Sequence, residues 1–389
     1  MGARLAREFL DLRPGLDRLA VPLVGRGNAY EREGIPVAGP RLEMPSGGFM
    51  LTSPRVLVTD LRAGFAAMSR EQYRAVRAAR ADAVVVVGDV YALWAALRFA
   101  GPAGGPPPQV FQVQPLVSAY YQDGLGWRER LARLNRTTVD SFVLAERYLM
   151  RRARRVFVRD ERSARLLRRG GVPHAEHAGN LMMDLVAAPE RDLSGLLDGR
   201  PVLALLPGTR EDYLFSLPLM LRACAGLPEV QALAAFTGDG RRVALPPGWR
   251  WAEPSAVERG AGGVITAAGP AGLRVPLLVG SFAAVLQASR VVLGTSGTGN
   301  EQAAGLGRPV VAFATAGPQY LPAFARAQRR LLGDALELVE PDPGLVGAAV
   351  RASLGEGRQA AARAAGRERM GAPGAARRVA RLVLSDLGA

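Results

Sequence analysis

Lysine is missing altogether. The 389 residues carry 50 basic side chains, every one an arginine, against 35 acidic ones, for a formal net charge of +15. With the heavy use of Ala and Gly, this points to biased codon supply, so part of the arginine excess carries no function. The rest suits an anionic membrane surface, nucleic acid or a phosphorylated substrate. Aromatic residues make up only 6%, and no nucleic-acid module is recognisable, which ranks nucleic acid last among those partners. The single cysteine, Cys224, excludes an internal disulfide and a Cys-rich zinc site. The only histidines are His174 and His177, in GVPHAEHAGN. Without a further ligand they make a poor zinc site, and they read as lining a loop at a domain junction. No apolar run is long enough to cross a bilayer. The opening MGARLAREFLDLRPG lacks an apolar region followed by a small-residue cleavage site, and Ala6 stands where myristoylation needs Ser or Thr. The expectation is a cytoplasmic protein. No repeat of solenoid length is present.

What is there is an alternation. A hydrophobic content of 49% and the chain length fit two domains of ordinary size. Apolar runs alternate with helical segments throughout, the pattern of an α/β protein with parallel sheets. Predicted strands in the first half are Ala20–Val24, Val56–Thr59, Ala83–Val87, Val110–Val113 and Val156–Val158. In the second half they are Val202–Leu206, Ala232–Phe236, Gly263–Thr266, Pro276–Val279, Val291–Leu293 and Val310–Phe313. The join falls in the polar stretch from Gly170 to Pro201, giving domains 1–180 and 181–389, with the last helix packing back on the first. Two doubly wound, Rossmann-like domains facing a cleft are the simplest architecture. Such a domain opens with a strand and a Gly-rich turn, whereas Ala3–Leu12 reads as a helix; the expectation is either a sheet that starts differently or an N-terminal domain missing its first strand and loop.

The stretch that carries most chemistry is RVVLGTSGTGNEQAAGLGRPVVAFA, from Arg290 to Ala314. It reads as strand, Gly-rich turn, helix Asn300–Leu306 and strand. Few side chains block the backbone N–H groups of Gly294-Thr295-Ser296-Gly297-Thr298-Gly299. A helix N-terminus then presents unpaired donors and partial positive charge, so the ligand expected is an anion, foremost a phosphate. Glu301, in the first turn, can accept from a ribose diol. The same pattern also fits an empty turn of a doubly wound sheet. Pro207-Gly208-Thr209-Arg210 repeats the design after Val202–Leu206, with the Arg210 fork placed to meet a phosphate, and with a solvated Arg as the alternative. Asp89 closes the run AVVVVGD and reads either as a general base at the C-terminal end of a strand or as a helix N-cap. Between Trp127 and Arg155 lie two basic amphipathic segments, with Trp127, Leu131, Leu134, Phe142, Val143, Tyr148 and Leu149 on their apolar faces. They fit an anionic membrane surface or ordinary packed helices with a solvated face. Gln319 and Gln328, in GPQYLPAFARAQRRLLG, are amides able to read a sugar or base, or simply surface groups.

LPGTR, GNLMMD and GTSGTGNEQAAGLGRPVV, in that order, resemble lipid-A-disaccharide synthase and, within that group, its related branch; the likeness runs from about Asp82 to Gly333. It implies a GT-B fold, with a nucleotide-sugar donor on the C-terminal domain and the acceptor on the N-terminal one. By position, Gly208, Thr209 and Arg210 correspond to one donor-phosphate loop, and Thr295, Ser296, Gly297 and Thr298 to the second. Glu301 corresponds to the ribose carboxylate. In the synthase that Glu lies seven residues before the Pro, a place held here by Gln302 relative to Pro309, so the contact is open to either residue. Asp89 matches a catalytic acidic residue in placement. The family needs no metal or other cofactor, because loop N–H groups and the helix dipole offset the diphosphate charge.

The reading is therefore an inverting glycosyltransferase that moves a sugar, of N-acetylglucosamine type, from a UDP-sugar to a lipid-linked acceptor at the inner face of the plasma membrane. The Arg-rich helices of residues 127–155 would hold it there as a peripheral protein, and a homodimer is open as a separate expectation. The alternatives are a UDP-sugar 2-epimerase and a non-catalytic nucleotide-sugar-binding protein.

Overall fold

The structure, a computed structural model, describes residues 1–23, 25–41, 54–101, 106–133, 141–209 and 211–388. Arg210, Val24, and Leu134 of the basic segment lie outside them. The chain divides into two compact units, Met1–Asp184 with Gly374–Ala389, and Leu185–Pro373. Each is an α/β unit of Rossmann-like type.

The first unit holds β1 (Ala83–Val87), β2 (Gln109–Gln114), β3 (Arg155–Val158) and β4 (Ala175–His177), in the order β1-β2-β3-β4. All three pairings are parallel. Side chains alternate across a strand, so β2 sends Phe111 and Val113 into a core shared with Leu5, Val379 and Val383 of the helices Gly2–Leu12 and Ala375–Asp386. Val110 goes the other way, into a core with Leu93, Met150, Val156 and Leu167. The Asp184 carboxylate accepts from the N–H groups of Gly374, Ala375 and Ala376, which caps the C-terminal helix where the chain re-enters this unit.

The second unit is built on β5 (Val202–Leu206), β6 (Gln231–Ala235), β7 (Arg250–Ala252), β8 (Gly263–Ala268), β9 (Arg274–Leu278), β10 (Ser289–Gly294), β11 (Val310–Phe313) and β12 (Leu336–Val339). Their order is β12-β11-β10-β5-β6-β9-β8-β7. Central strands read as unbroken apolar runs because both faces are covered: all five residues of β5 are buried.

Three expectations are corrected. The run Val56–Thr59 lies in a helix, Pro54–Arg62; Pro54 opens it where a missing N–H costs nothing, and a short apolar run alone does not separate helix from strand. Of Ala20–Val24, the described part forms only a parallel bridge, Ala20 to Val37, since Pro22 has no N–H to extend a ladder. The sheets are not parallel throughout. β7–β8 and β8–β9 pair antiparallel, because the turn joining β8 to β9, residues 269–273, is too short for a parallel crossover. β4, β7 and β12 were not anticipated. No helix among the described residues is long and apolar enough to cross a membrane.

Candidate functional site

In the second unit three neighbouring strands, β5, β10 and β11, end in loops that support one another. Thr295 N–H donates to Leu206 O at 2.9 Å, joining the loop after β10 to the end of β5. Gly208 adopts φ +87°, and a Cβ there would lie 2.8 Å from Asp212 Cβ and 3.1 Å from Thr295 O, so only glycine allows this approach. Asp212 is 1% exposed. Its Oδ1 accepts from the N–H groups of Gln319 (3.0 Å) and Tyr320 (3.1 Å), which ties the loop after β11 to the loop after β5. Ser216 Oγ donates to Pro207 O at 2.5 Å and fixes the start of that loop.

The helix after β10 begins earlier than expected, at Gly297 rather than Asn300. Ser296 is its N-cap, its Oγ accepting from Gly299 N–H at 3.3 Å. Gly297 and Thr298 occupy the first turn, whose N–H groups have no acceptor within the helix. Thr298 and Thr209 are exposed, and Gly297, Ser296 and Gly208 half-buried, so an anion can reach this turn. Thr295 is buried and joins loops rather than facing outward.

Behind the turn sits a polar cluster. Gln328 Nε2 donates to Gly297 O (2.7 Å), while its Oε1 accepts from Tyr320 Oη (2.6 Å) and Asn300 Nδ2 (2.9 Å). Asn300 Nδ2 also reaches Gly294 O at 3.0 Å. This corrects the reading of Gln328 as a sugar- or base-reading amide: it is 0% exposed and its amide is consumed in bracing the loop. Gln319 is exposed and keeps its side chain available. Glu301 and Gln302 are 5% and 4% exposed. Burial foremost, with the charge of Glu301 acting the same way, raises the Tyr320 hydroxyl above its ordinary range.

In the first unit Asp89 follows β1 and takes the N-cap role. Its Oδ1 accepts from Tyr91 N–H (3.1 Å) and Ala92 N–H (3.5 Å), and the residue is exposed. Nearby is a carboxyl that sequence reasoning passed over. Glu146, in the helix Leu144–Met150, is 3% exposed and accepts from Gln114 Nε2 at 2.5 Å. Burial pushes its carboxyl up to about 7, and the negative charge of Asp89 pushes the same way, against the hydrogen bonds from Gln114 and Gln112 and the charge of Arg147. The signal for it was in the strand QVFQVQ: Gln112 and Gln114 share the face of Val110, where a buried strand calls for apolar residues. Beyond Asp89, Tyr73 stacks on Phe99 at 4.3 Å, with Trp94 edge-on at 5.6 Å, and Tyr73 Oη lies 2.9 Å from Tyr91 Oη.

Of the two histidines expected to line a loop, His174 lies in the turn before β4, its Nε2 contacting Met150 O at 2.8 Å, whereas His177 is on β4, and burial foremost lowers its imidazole below the usual range.

No family model matches the chain, and no curated protein matches it by sequence. Solved structures do match along its length. The calicheamicin glycosyltransferase CalG4 is 17% identical, with a TM-score of 0.59 and coverage of 100% of this chain and 95% of that one. S. aureus MnaA, solved with UDP, is 11% identical, with a TM-score of 0.59 and coverage of 100% and 94%. The UDP-GlcNAc 2-epimerase of Methanocaldococcus jannaschii, solved with UDP-GlcNAc and UDP, is 13% identical, with a TM-score of 0.52 and coverage of 98% and 96%. At such identities the likeness is one of fold: the chain has the two-unit GT-B architecture.

Proposed function

We propose that the chain is an inverting glycosyltransferase that uses a UDP-sugar of N-acetylglucosamine type. The observation that carries this reading is the mutual bracing of the loops after β5, β10 and β11 around the first turn at Gly297 and Thr298. Rigid N–H donors are what a leaving diphosphate needs, because they cost no reorganisation as charge develops. Gly208, Thr209, Ser296, Gly297 and Thr298 would hold the diphosphate, and Glu301 or Gln302 the ribose. Arg210 is the proposed phosphate partner by its place in the sequence alone. The acceptor hydroxyl would lose its proton to Asp89 as its oxygen bonds to the anomeric carbon, and the bond from that carbon to the phosphate oxygen breaks to release UDP.

A lipid-linked acceptor, as in the lipid-A-disaccharide synthase group, is supported by apolar surface in the first unit. Trp127 is 70% exposed and Leu131 61%, among arginines, and the aromatic group around Tyr73 begins two residues past Asp89. These features suit a peripheral protein on an anionic membrane face. A UDP-sugar 2-epimerase is the second reading, favoured by the epimerases among structures of this fold.

Calorimetric titration with UDP and UDP-N-acetylglucosamine, beside ATP and NAD, tests the donor site. Selective UDP binding is expected, weakened at least about tenfold in Glu301→Ala. A folded chain that ignores UDP overturns both readings. Interconversion of UDP-sugars with no acceptor present would favour the epimerase over the transferase.

A further inference from the structure

In the first unit the turn Ala119–Gln122 and the helix Glu161–Arg169 are locked together. Asp160 Oδ2 accepts from Ser118 Oγ (2.7 Å) and Ser163 Oγ (2.9 Å), and Ser163 Oγ accepts from Ala119 N–H at 2.8 Å. Beside this buried joint lies a hollow of about 390 Å³. Arg162, Arg165 and Arg169 line it from the helix, at the i, i+3 and i+7 places of one face. Arg130 reaches it from the helix Trp127–Arg133. Ala119 and Leu166 add an apolar part and Gln122 an amide. The four guanidiniums are unequally engaged. Arg162 pairs with the Asp123 carboxylate and lies 4.9 Å from the Tyr120 ring centre. Arg130 Nε donates to Leu125 O at 3.0 Å, and its terminal nitrogens have no partner among the described residues. Glu161 pairs with Arg168 at 2.7 Å and stands 3.9 Å from Arg165. Arg169 has no side-chain partner among the described residues.

We propose that this hollow binds a phosphate group. Guanidinium forks converging from two helices suit a tetrahedral anion, whose oxygens accept from several directions, whereas a carboxylate is filled by a single fork. Like charges gathered around one hollow repel one another, and a bound anion offsets that repulsion. The phosphate of an anionic lipid and that of a soluble compound present the same group. The lipid source is supported by Trp127 and Leu131, 70% and 61% exposed on the helix that carries Arg130, since such side chains enter a membrane interface beside the headgroups. The hollow lies wholly in the first unit, whereas the loops proposed for the diphosphate lie in the second. The phosphate site therefore does not rest on the transferase reading.

Two double variants of the full chain test the proposal. Arg165→Gln with Arg169→Gln takes two forks from the hollow. Arg222→Gln with Arg377→Gln takes the same charge from arginines that do not line it; all four residues are exposed, so the fold should survive both changes. One arm is calorimetric titration with inorganic phosphate. The other is sedimentation with phosphatidylcholine vesicles, with and without phosphatidic acid. Phosphate held by the loops of the second unit contributes alike to all three proteins. In at least one arm the hollow variant should bind at least about tenfold more weakly, and the second variant should stay close to the unaltered chain. A loss with phosphatidic acid vesicles alone assigns the group to a lipid; a loss with inorganic phosphate as well assigns a site that takes the free anion. Equal losses in the two variants, or no binding in either arm, overturn the proposal. UDP titration should be the same in both variants, so a failure of the donor reading is seen separately.

Discussion

Both units bury polar side chains against strand ends, and they do it differently. In the second unit Gln328, Asn300 and Tyr320 bond to one another and to the backbone of the loop after β10, and Asp212 holds the loop after β11. These contacts are between neutral amides, a hydroxyl and backbone groups, with one carboxylate used as a clasp. In the first unit the buried cluster is built around a carboxyl, Glu146, which accepts from Gln114 Nε2 at 2.5 Å and is raised by its burial to about 7. The lesson is one of division of labour. Networks of amides, a hydroxyl and backbone groups fix N–H groups in space, which suits holding an anion, even where an acceptor such as Asn300 Oδ1 is left open. A network with one titratable member changes its charge with pH, as the raised Glu146 carboxyl does.

The largest expected effect breaks the neutral network. Gln328→Ala takes from the Tyr320 hydroxyl its acceptor and from Gly297 O its side-chain donor in a site 0% exposed, while Asn300 Nδ2 keeps Gly294 O. Each buried group so orphaned costs about 1–3 kcal/mol, so urea unfolding should show a loss on the order of 4 kcal/mol. UDP binding should weaken as well, although Gln328 cannot touch a ligand. Unchanged stability would show that the loop does not depend on this bracing.

The second prediction separates the clusters by pH. Glu146 has a folded value of about 7, raised from 4.5 by burial first. A raised carboxyl contributes stability that is fully present below the unfolded value and is lost as pH rises through the folded one. The loss therefore accumulates between pH 4.5 and about 7 and is level above that. In Glu146→Gln nothing titrates at this position. Thermal unfolding should find the two proteins close at low pH and the variant more stable at pH 8 by about 3 kcal/mol. Parallel pH curves would contradict a titrating Glu146. Gln328 variants should follow the wild-type pH curve, shifted down as a whole.

Much of the second unit was legible in the sequence, because its strands are apolar runs and its turns are marked by glycine. VLALL and RVVLG appear as β5 and β10 within a residue or two of expectation. What sequence patterns could not show was which polar residues turn inward. Gln328 sits on an amphipathic helix and reads as a surface amide, yet the fold brings it under Gly297, some thirty positions earlier. Glu146 was hidden among arginines, so that its segment read as a charged surface; its neighbours Phe142 and Val143 are buried. Asp89 fitted base and N-cap equally, and the structure shows the cap without removing the other role. The strands at Val56 and Ala20 failed for a simpler reason, since proline and short length decide such runs locally.

The smallest effect concerns charge, the feature that stood out first. Since the chain uses no lysine, some arginines are there by composition and others by geometry, and Arg→Lys substitutions sort them. Arg155 forms a two-pronged pair with Asp386, Nε to Oδ2 at 2.6 Å and Nη2 to Oδ1 at 2.7 Å, tying β3 to the C-terminal helix of the first unit. A lysine offers a point charge and cannot reproduce both bonds. Arg155→Lys should cost about 1 kcal/mol in chemical unfolding. Arg7 pairs with Asp11 one helical turn away, both side chains about two-fifths exposed at 42% and 39%. Such pairs are worth about 0.3–0.5 kcal/mol and lysine serves them as well, so Arg7→Lys should leave stability unchanged within error. Equal losses at the two sites would mean that the arginine excess is structural throughout. Equal indifference would mean that even the Asp386 pair is only a solvated contact, and that the return of the C-terminal helix depends on the Asp184 cap and the apolar contacts of Val379 and Val383.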